Sequence, residues 1–492
     1  MFEGKLKELE PIFYPKSVAV IGASANPRKA GSGWVMALLS AGFSGPIYPV
    51  GSSGGIIAGL EIIPNLKLVP GDVDYAIVAI PRQSVVELID DCAVKKVKAV
   101  QFFTAGFSEM GKPEGHKIEA QMIEKARQGG IRIIGPNCIG VYCPEHKMPS
   151  PLGTIGTAGS VGFISNSGGI ATKLMEIGRA RYINYSKGVS FGNGIDLDAS
   201  DFLQYLAADP KTTVIGAYLE GTRNASRLFD TMKEVARVKP LVVWKGGRTK
   251  AGARAAMSHT GSLASSAAIW SALLKQSGCI EVHSLEELAD TLLIFQQLRC
   301  WQGIRAAVIG GLVDGGGGIS VSAGDACIDN GLEIPPISSK TQQELIDLIG
   351  EAGSILCNPV DVSQAQFRGL STIFQSIDLV TKDPVIDIVL IQEDVDILSA
   401  VYSCEELEEI SNFFIDLRRR HNKPVVIILP PGSAEPERLK IEQKLLTASV
   451  PTFTTMERAA KAIYRASQYL SRQGTEDSHR KAAIPRQPRK TS

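Results

Sequence analysis

Short, fully apolar runs alternate with longer amphipathic stretches along most of the chain. In residues 1–145, the runs Ser17–Ala23, Tyr75–Ile80 and Arg132–Gly135 are typical of buried strands, and Gln83–Val94 is typical of a helix between them. Fully apolar strands separated by amphipathic helices predict a parallel sheet that is covered by helices on both faces.

The same alternation recurs twice more along the chain. It is found in residues 146–300, for example at Val214–Glu220, and again in residues 303–470, for example at Ile386–Gln392. Since a prior of about 150 residues per domain gives about three domains for 492 residues, we predict three successive α/β domains with these boundaries. Residues 474–492 are polar, basic and contain prolines, and they predict a disordered tail.

The composition argues against several classes of binding partner. Lys and Arg total 52 against 51 for Asp and Glu, and this balance argues against a nucleic-acid partner, which would need a basic face. No apolar run approaches the ~20 residues of a membrane span, and the first residues do not resemble a signal peptide. The scattered cysteines lack metal-site spacing. We therefore expect a cytoplasmic protein that binds neither nucleic acid nor membrane and has no metal site.

His259 is the most informative single residue. It lies in the segment 246–264, which is small, cationic and glycine-rich and which follows the predicted strand Leu241–Lys245. We predict that this segment is an exposed, mobile loop, because its small and charged side chains cannot pack a hydrophobic core. A lone imidazole among hydroxyls and cations is suited to accept a phosphoryl group on a ring nitrogen and carry it between sites. The alternative is an ordinary surface histidine.

Several strand–turn–helix junctions are candidate anion sites. Gly22 begins the turn after the first strand, Asn137 ends the last strand of the first domain, and Ser167 precedes a helix with two glycines. Free backbone N–H groups and a helix N-terminus at such turns suit phosphate groups. The glycine-rich run 310–320 has the same form in the third domain. A tight turn without a ligand remains the alternative at each of these positions.

Two further residues stand at strand ends. Glu220 ends the strand Val214–Glu220, where its carboxylate can accept a hydrogen bond from an imidazole; pairing with Arg223 is the alternative. Cys138 has no histidine or cation close in sequence, so we interpret it as a packing residue that lines the site rather than as a nucleophile.

Taken together, these residues resemble the α subunit, or α-like half, of the ADP-forming acyl-CoA synthetases, relatives of succinyl-CoA synthetase. Several motifs occur in the family's order and cover nearly the whole chain outside the tail. They are VAVIGAS at 18–24, TAGFSEMG at 104–111, GPNCIG at 135–140, SNSGGIA at 165–171, YLEG at 218–221, KGGR at 245–248, SHTGSLA at 258–264 and NPVD at 358–361.

The resemblance implies an N-terminal Rossmann-like CoA-binding domain followed by two flavodoxin-like parallel-sheet domains. It also implies a reversible reaction: phosphate attacks an acyl-CoA, the phosphoryl group of the acyl phosphate moves to His259, and the loop swings to a nucleotide site where ADP becomes ATP. Glu220 would steady the imidazole. The implied phosphate-binding residues are Ser167, Gly168 and Gly169, and the implied CoA-binding residues are Gly22, Ala23, Ser24, Pro81, Gly106 and Asn137.

The chain departs from the family pattern in two respects. The family usually has an Asn-Pro-Lys turn after the second strand, whose lysine meets CoA, whereas this chain has Tyr48-Pro49-Val50 followed by glycines and serines. The three predicted domains also leave no room for an ATP-grasp region, so a separate ATP-grasp β subunit would hold ADP or ATP with Mg²⁺.

Two other functions fit parts of the sequence. One is a catalytically inactive CoA-binding sensor or scaffold of the same fold, which the missing lysine favours and which His259 and Glu220 oppose. The other is an NAD-dependent oxidoreductase, which requires an acidic residue at the end of the second strand. The sequence there is Val50-Gly51-Ser52-Ser53, so this function is disfavoured.

Overall fold

The protein is described here by a computed structural model. It describes residues 2–260, 267–298, 301–310, 312, 316–350 and 355–482, without the side chains of residues 257–260 and 474–482. The chain divides into two compact units, Met1–Leu292 and Leu293–Ser492.

The first sheet of the N-terminal unit is built from the apolar runs of residues 1–145. Its strands are β1 (Val18–Ile21), β2 (Ile47–Val50), β5 (Tyr75–Val78), β6 (Ala99–Phe102) and β7 (Arg132–Ile134), with a separate hairpin of β3 (Ile56–Ile57) and β4 (Leu60–Glu61). They form a five-stranded parallel sheet in the order β2-β1-β5-β6-β7. The helices are α1 (Glu3–Phe13), α2 (Ala30–Ala41), α3 (Val85–Val94) and α4 (Pro113–Gly129), and the 3-10 helices are Leu66–Leu68, Arg82–Ser84 and Ser108–Met110.

The second sheet belongs to the same unit. Its strands are β8 (Gly140–Tyr142), β9 (Ala158–Ser165), β10 (Tyr185–Ser190), β11 (Val214–Leu219), β12 (Leu241–Lys245) and β13 (Ile280–Val282). The order is β13-β12-β11-β9-β10-β8, and only the pairing of β8 with β10 is antiparallel among these strands. The helices are α5 (Gly168–Arg181), α6 (Ala199–Ala208), α7 (Ala225–Ala236), α8 (Lys250–Thr260), α9 (Ala267–Gln276) and α10 (Leu285–Gln297), with a 3-10 helix at Pro144–His146.

The first two predicted domains share one core. A single apolar cluster includes Val20 and Ile77 from the first sheet and Ile164 and Val243 from the second. Strand β8 also lies in the second sheet, although the sequence places it before residue 145. These two sheets therefore form one unit, and the boundary at residue 145 remains a prediction.

The C-terminal unit contains the third sheet. Its strands are β14 (Ala306–Gly310), β15 (Val360–Asp361), β16 (Ile388–Gln392), β17 (Val425–Ile428) and β18 (Thr452–Phe453), all parallel, in the order β15-β14-β16-β17-β18. Its helices are α11 (Gly316–Asp329), α12 (Ser339–Ile349), α13 (Leu370–Lys382), α14 (Val395–Val401), α15 (Cys404–Arg420), α16 (Glu435–Thr447) and α17 (Met456–Ala482), with a 3-10 helix at Ser363–Arg368.

All three sheets have the same parallel strand order. In each, the first parallel strand lies between the second and the third, so the chain reverses its direction of winding beside the first strand. In open α/β sheets ligands bind in the crevice that this reversal leaves at the carboxyl ends of the strands. The crevices therefore open beside the ends of β1 and β5, of β9 and β11, and of β14 and β16.

Two predictions of irregular structure are wrong. Residues Lys250–Thr260, expected within a mobile loop, form helix α8. The alanines of this segment favour a helix, and this preference outweighs the cost of its single glycine. The Thr249 hydroxyl accepts the N–H of Gly252 at 3.1 Å at its start. Residues 474–482, expected in a disordered tail, continue α17 to Ala482, because the first proline after Gly474 is Pro485. Residues 483–492 lie outside the described residues.

A buried ion pair in the second sheet provides a test of this fold. The Lys187 ammonium in β10 donates to Asp209 at 2.8 Å, and the side chains of both residues are at most 5% exposed. Substitution of Lys187 by Met leaves the Asp209 carboxylate buried without its cation and should cost about 3–5 kcal/mol. Urea unfolding followed by circular dichroism should show a large fall in the midpoint, whereas Lys340→Met, at an exposed pair, should leave it nearly unchanged. Equal midpoints for the two variants would contradict the buried placement of Lys187.

Candidate functional site

A cavity of about 450 Å³ lies at the carboxyl edge of the first sheet. Its lining comes from the ends of β5, β6 and β7, at residues 79–80, 103–105 and 137–139, from Ala30 at the start of α2, and from Gly168 and Gly169 at the start of α5. The cavity thus brings together Asn137, predicted to contact CoA, and two of the residues predicted to bind phosphate. Of the site residues predicted from the sequence, Asn137, Gly168 and Gly169 line the cavity directly.

The turn after β1 brings three backbone segments together. Gly22 has φ +98°, and a Cβ at this position would overlap the carbonyl oxygen of Ala79 at the end of β5. A Cβ on Gly31 in α2 would in turn overlap the carbonyl group of Gly22. Only glycines allow the ends of β1 and β5 and the start of α2 to approach this closely. The turn 22–24 therefore supports one side of the crevice.

The amide groups of this turn are not free, contrary to our expectation. The N–H groups of Gly22 and Ala23 donate to the carbonyl oxygen of Val50 at 2.9 and 3.0 Å, and the Ser24 N–H donates to Ser32 Oγ at 3.3 Å. The physical reason is that the turn continues the pairing of β1 with β2 past the last strand residue. Backbone amides that could bind an anion here are instead those in the first turn of α2, because helix geometry leaves them without partners in the helix.

The end of β2, where the family usually has a lysine, leaves little room for a long side chain. Val50 is 3% exposed, and a Cβ on the next residue, Gly51, would overlap the carbonyl oxygen of Ala23. The exposed Arg28 and Lys29 immediately precede α2, and neither forms an ion pair within the described ranges. They place positive charge next to Ala30, which lines the cavity.

The other predicted CoA residues lie on turns that hydrogen bonds tie together. The Thr104 hydroxyl donates to the Ile80 carbonyl at 2.7 Å, and the N–H of Asn137 donates to the Thr104 carbonyl at 2.9 Å. Arg82, which follows Pro81, donates to the Gly106 carbonyl at 2.6 Å. The turns that carry Pro81, Gly106 and Asn137 therefore form one connected rim of the cavity.

The start of α5 assigns different tasks to the three predicted phosphate residues. Ser167 is the N-cap: its Oγ accepts the N–H of Ile170 at 3.4 Å, and its own N–H donates to Ser165 Oγ at 3.0 Å. The N–H groups of Gly168 and Gly169 have no partner within the helix, because they belong to its first turn. The two glycines therefore present amides without partners in the helix, and Ser167 caps the helix end.

Glu220 is buried directly after β11. It is 7% exposed, its N–H donates to Asn166 Oδ1 at 3.0 Å, and the Lys245 ammonium donates to its carbonyl at 2.8 Å. Burial, the charge of Glu220 and a hydrogen bond with the Glu220 carboxylate raise the pKa of Tyr218. Arg223, the alternative partner in the sequence interpretation, instead pairs with Glu119 at 2.7 Å.

His259 lies in the last turn of α8, and its side chain lies outside the described residues. Contact between His259 and Glu220 therefore remains a prediction. Helix α8 packs beside the 3-10 helix Ser108–Met110, which follows the Gly106 turn. The predicted phosphate turn at 310–320 also includes positions, 311 and 313–315, outside the described residues.

Sequence reasoning missed the apolar part of the cavity. Ile80, Phe103 and Ile139 line it; Ile80 and Phe103 stand just beyond β5 and β6, whereas Ile139 immediately precedes β8. For Ile80 and Phe103, the position after an apolar strand is the available signal, because such residues reach the carboxyl edge of the sheet. Within the described residues, no group of His, Cys, Asp and Glu could hold a metal ion, and no helix has the length and apolarity needed to cross a bilayer.

Two family models match the N-terminal unit and its immediate continuation. Residues 16–144 match a CoA-binding domain, and residues 158–295 match the flavodoxin-like domain of succinyl-CoA ligase. The acetate–CoA ligase (ADP-forming) II subunit alpha of Pyrococcus furiosus is 32% identical over 95% of this chain and 99% of its own length.

Longer relatives and solved structures agree with this match. The chain is 36% identical to the acetate–CoA ligase (ADP-forming) I of Archaeoglobus fulgidus, but it spans only 54% of that protein. A dinucleotide-forming acetyl-coenzyme A synthetase 1 from Ca. Korarchaeum cryptofilum, solved with phosphate and ADP, is 30% identical, with a TM-score of 0.83 over 97% of this chain and 99% of that one.

The environment of Cys138 predicts an unreactive thiol. Cys138 is 3% exposed, and burial raises the pKa of its thiol to about 12. Because the thiolate is the reactive form, iodoacetamide at pH 8 should alkylate the exposed Cys357 and Cys404 and leave Cys138 unmodified. Peptide mass spectrometry checks this, and urea-unfolded protein, in which Cys138 should react, is the control. Alkylation of Cys138 in the native protein at the rate of Cys357 would contradict the prediction.

The glycines of the β1–α2 junction give a matched pair of variants. Gly22→Ala adds a methyl group that overlaps the Ala79 carbonyl and should destabilise the N-terminal unit by at least about 2 kcal/mol. Gly33→Ala lies in α2 with open space around the added Cβ and should stabilise it by about 0.5–1 kcal/mol. Thermal unfolding measures both, and equal shifts for the two variants would disprove the close approach at Gly22.

Proposed function

Because the chain belongs to the family of ADP-forming acyl-CoA synthetases, we propose that it is the α subunit of an enzyme that interconverts acyl-CoA, ADP and phosphate with a carboxylic acid, CoA and ATP. The observation that supports this most directly is the single cavity shared by Asn137, Gly168 and Gly169. The cavity lies between the crevice of the CoA-binding domain and the N-terminus of α5, and this supports a first step in which phosphate meets a thioester.

In the first step, an oxygen of inorganic phosphate attacks the thioester carbon. The carbon–sulfur bond breaks, acyl phosphate forms, and CoA leaves as a thiolate that takes up a proton. The amides of Gly168 and Gly169, together with the positive end of α5, would hold the attacking phosphate. They would also stabilise the negative charge of the acyl phosphate, since both species present phosphate oxygens to the same donors.

In the second step, a ring nitrogen of His259 attacks the phosphorus of the acyl phosphate. The bond between phosphorus and the acyl oxygen breaks, and the carboxylate leaves. Glu220 would accept a hydrogen bond from the other ring nitrogen, which fixes the tautomer and leaves the attacking nitrogen unprotonated. The bonds of Asn166 and Lys245 to the backbone of Glu220 support this role because they fix the start of its side chain.

In the third step, the phosphoryl group passes from His259 to ADP. We place the nucleotide and Mg²⁺ on a separate ATP-grasp β subunit. The support is that this chain covers 99% of a relative named as a subunit alpha but only 54% of a longer relative that is not named as a subunit. The cytoplasmic location expected from the sequence remains a prediction.

The rim of the cavity suits an acyl-CoA. Gly22, Ala23 and Ser24 would support the CoA chain through their backbone shape, with Pro81, Gly106 and Asn137 along the rim. The positive charges of Arg28 and Lys29 beside α2 would serve the CoA phosphates in place of the absent lysine. We choose acetyl-CoA as the first substrate to test, since related proteins are named as acetate–CoA ligases.

Phosphorylation of the chain from acetyl-CoA and [³²P]phosphate tests the proposal without a partner subunit. The label should be acid-labile and base-stable, as phosphohistidine is. His259→Asn should abolish it, and Glu220→Gln should slow it by about 10²-fold, because the imidazole loses its orienting acceptor.

The exposed His116 provides the control, and His116→Asn should be labelled like the wild type. Calorimetry with CoA distinguishes the alternative function. A chain that binds CoA but takes up no label is a sensor or scaffold, and label retained in His259→Asn would place the phosphoryl group on another residue.

A further inference from the structure

A buried polar cluster lies next to the cavity and joins the first sheet to the second. It contains two carboxylates, Glu109 at 8% exposure and Glu119 at 2%, and the Asn193 side chain between them. Asn193 Nδ2 donates to Glu109 at 2.7 Å and to Glu119 at 2.9 Å. Ser108 completes the group by donating its hydroxyl to Glu119 at 2.6 Å.

Glu109 fixes the Gly106 turn from one side. Its Oε1 accepts the N–H of Gly106 at 2.5 Å, and its Oε2 accepts the N–H of Phe107 at 3.0 Å. From the other side, Arg82 donates to the Gly106 carbonyl at 2.6 Å. Gly106 has φ +106°, a conformation that few other residues adopt, and the preceding residues 104–105 line the cavity. The wall of the cavity therefore depends on the orientation of the Glu109 carboxylate.

Asn193 connects that wall to the loop of Glu220. Its N–H donates to the Pro136 carbonyl at 3.0 Å, next to Asn137 in the cavity rim. Its carbonyl accepts Arg223 Nε at 3.1 Å, and Arg223 Nη2 reaches Glu119 at 2.7 Å. Arg223 follows Glu220 by three residues on the same loop. Asn193, in the turn after β10, therefore bonds to the turns of both predicted reaction sites.

The charges of the cluster make this arrangement sensitive to the Asn193 amide. Arg223 balances Glu119, whereas the recorded bonds to Glu109 come from neutral donors, namely two backbone amides and Asn193. Without the amide, two buried carboxylates would face each other, and like charges in a buried site repel strongly. The amide group both separates the carboxylates and orients Glu109.

We propose that Asn193 is a positioning residue for the thioester reaction. Its side chain holds the Gly106 turn through Glu109 and the Glu220 loop through Glu119 and Arg223, so that the acyl-CoA pocket and the phosphohistidine site keep a fixed relation. This role rests on the proposed function and adds to it a physical link between its two reaction sites.

The test compares Glu109→Gln and Asn193→Ala by the initial rate of labelling with [³²P]phosphate at varied acetyl-CoA. Glu109→Gln keeps the size of the side chain but turns an NH₂ group toward one of its three donors. It should raise the KM for acetyl-CoA and the Kd for CoA about tenfold and leave the maximal rate within about twofold, because only the pocket wall is disturbed. Asn193→Ala keeps the backbone carbonyl that accepts Arg223 but removes the amide that orients Glu119, the ion-pair partner of Arg223. It should raise the KM similarly and also lower the maximal rate about tenfold, because Arg223 and the Glu220 loop are then held less firmly.

Asp201→Asn is the matched control. Asp201 is also a buried carboxylate of this unit, with a side chain 4% exposed, paired with Arg227 at 2.7 Å and not bonded to either reaction site. It should lower the thermal unfolding midpoint without changing KM or the maximal rate. If Glu109→Gln and Asn193→Ala behave like Asp201→Asn at a temperature where all are folded, the cluster is only structural and the proposal is overturned.

Two further outcomes are decisive. If Asn193→Ala does not fold, Glu109→Gln alone decides, through its KM and its Kd for CoA. If the wild type binds CoA but takes up no label, the proposed function fails, and an unchanged Kd for CoA in Glu109→Gln would then reject the positioning role as well.

Discussion

The close approach of backbone at Gly22 is the constraint on which the rest of the site depends. Because Gly22 and Gly31 lack side chains, the ends of β1 and β5 and the start of α2 meet without an intervening side chain. That contact sets the crevice where the strand order reverses. The turns at Ile80, Thr104 and Asn137 then bond to one another around it. The chemistry proposed above uses amides and side chains, but their spacing is set by these glycines.

The second sheet contributes its own crevice, and the two crevices become one site because both sheets share a core. Gly168 and Gly169 reach the cavity of the first sheet, while Asn193 bonds to Pro136 and Glu109. Glu220 lies at the point of the second sheet where the strand order reverses, as Gly22 does in the first. Under the proposed function, each crevice would hold a different reactant of the transfer from the acyl phosphate to the imidazole.

Much of the fold and part of the site could be predicted from the sequence. The apolar runs predicted the main strands because fully buried parallel strands have no polar face, as the burial of Val18–Ile21 shows. The pattern missed β15, of only two residues, and misjudged α8, because the glycines within and around it suggested a loop. Hydrogen bonding at Gly22 and Ala23 could not be foreseen, since it depends on where Val50 lies in space. The cluster of Glu109, Glu119 and Asn193 was also missed, because its members come from separate parts of the chain.

Strand β8 has a consequence for how the chain can be divided. It lies within the residues that the sequence assigns to the first domain, yet it pairs antiparallel with β10 and closes that side of the second sheet. A recombinant fragment starting at residue 146 would lose it, and β10, buried along its length, would become an open edge. Unprotected edges recruit strands from other molecules. The three-residue β8 therefore covers β10 and leaves only a short strand at this edge of the second sheet.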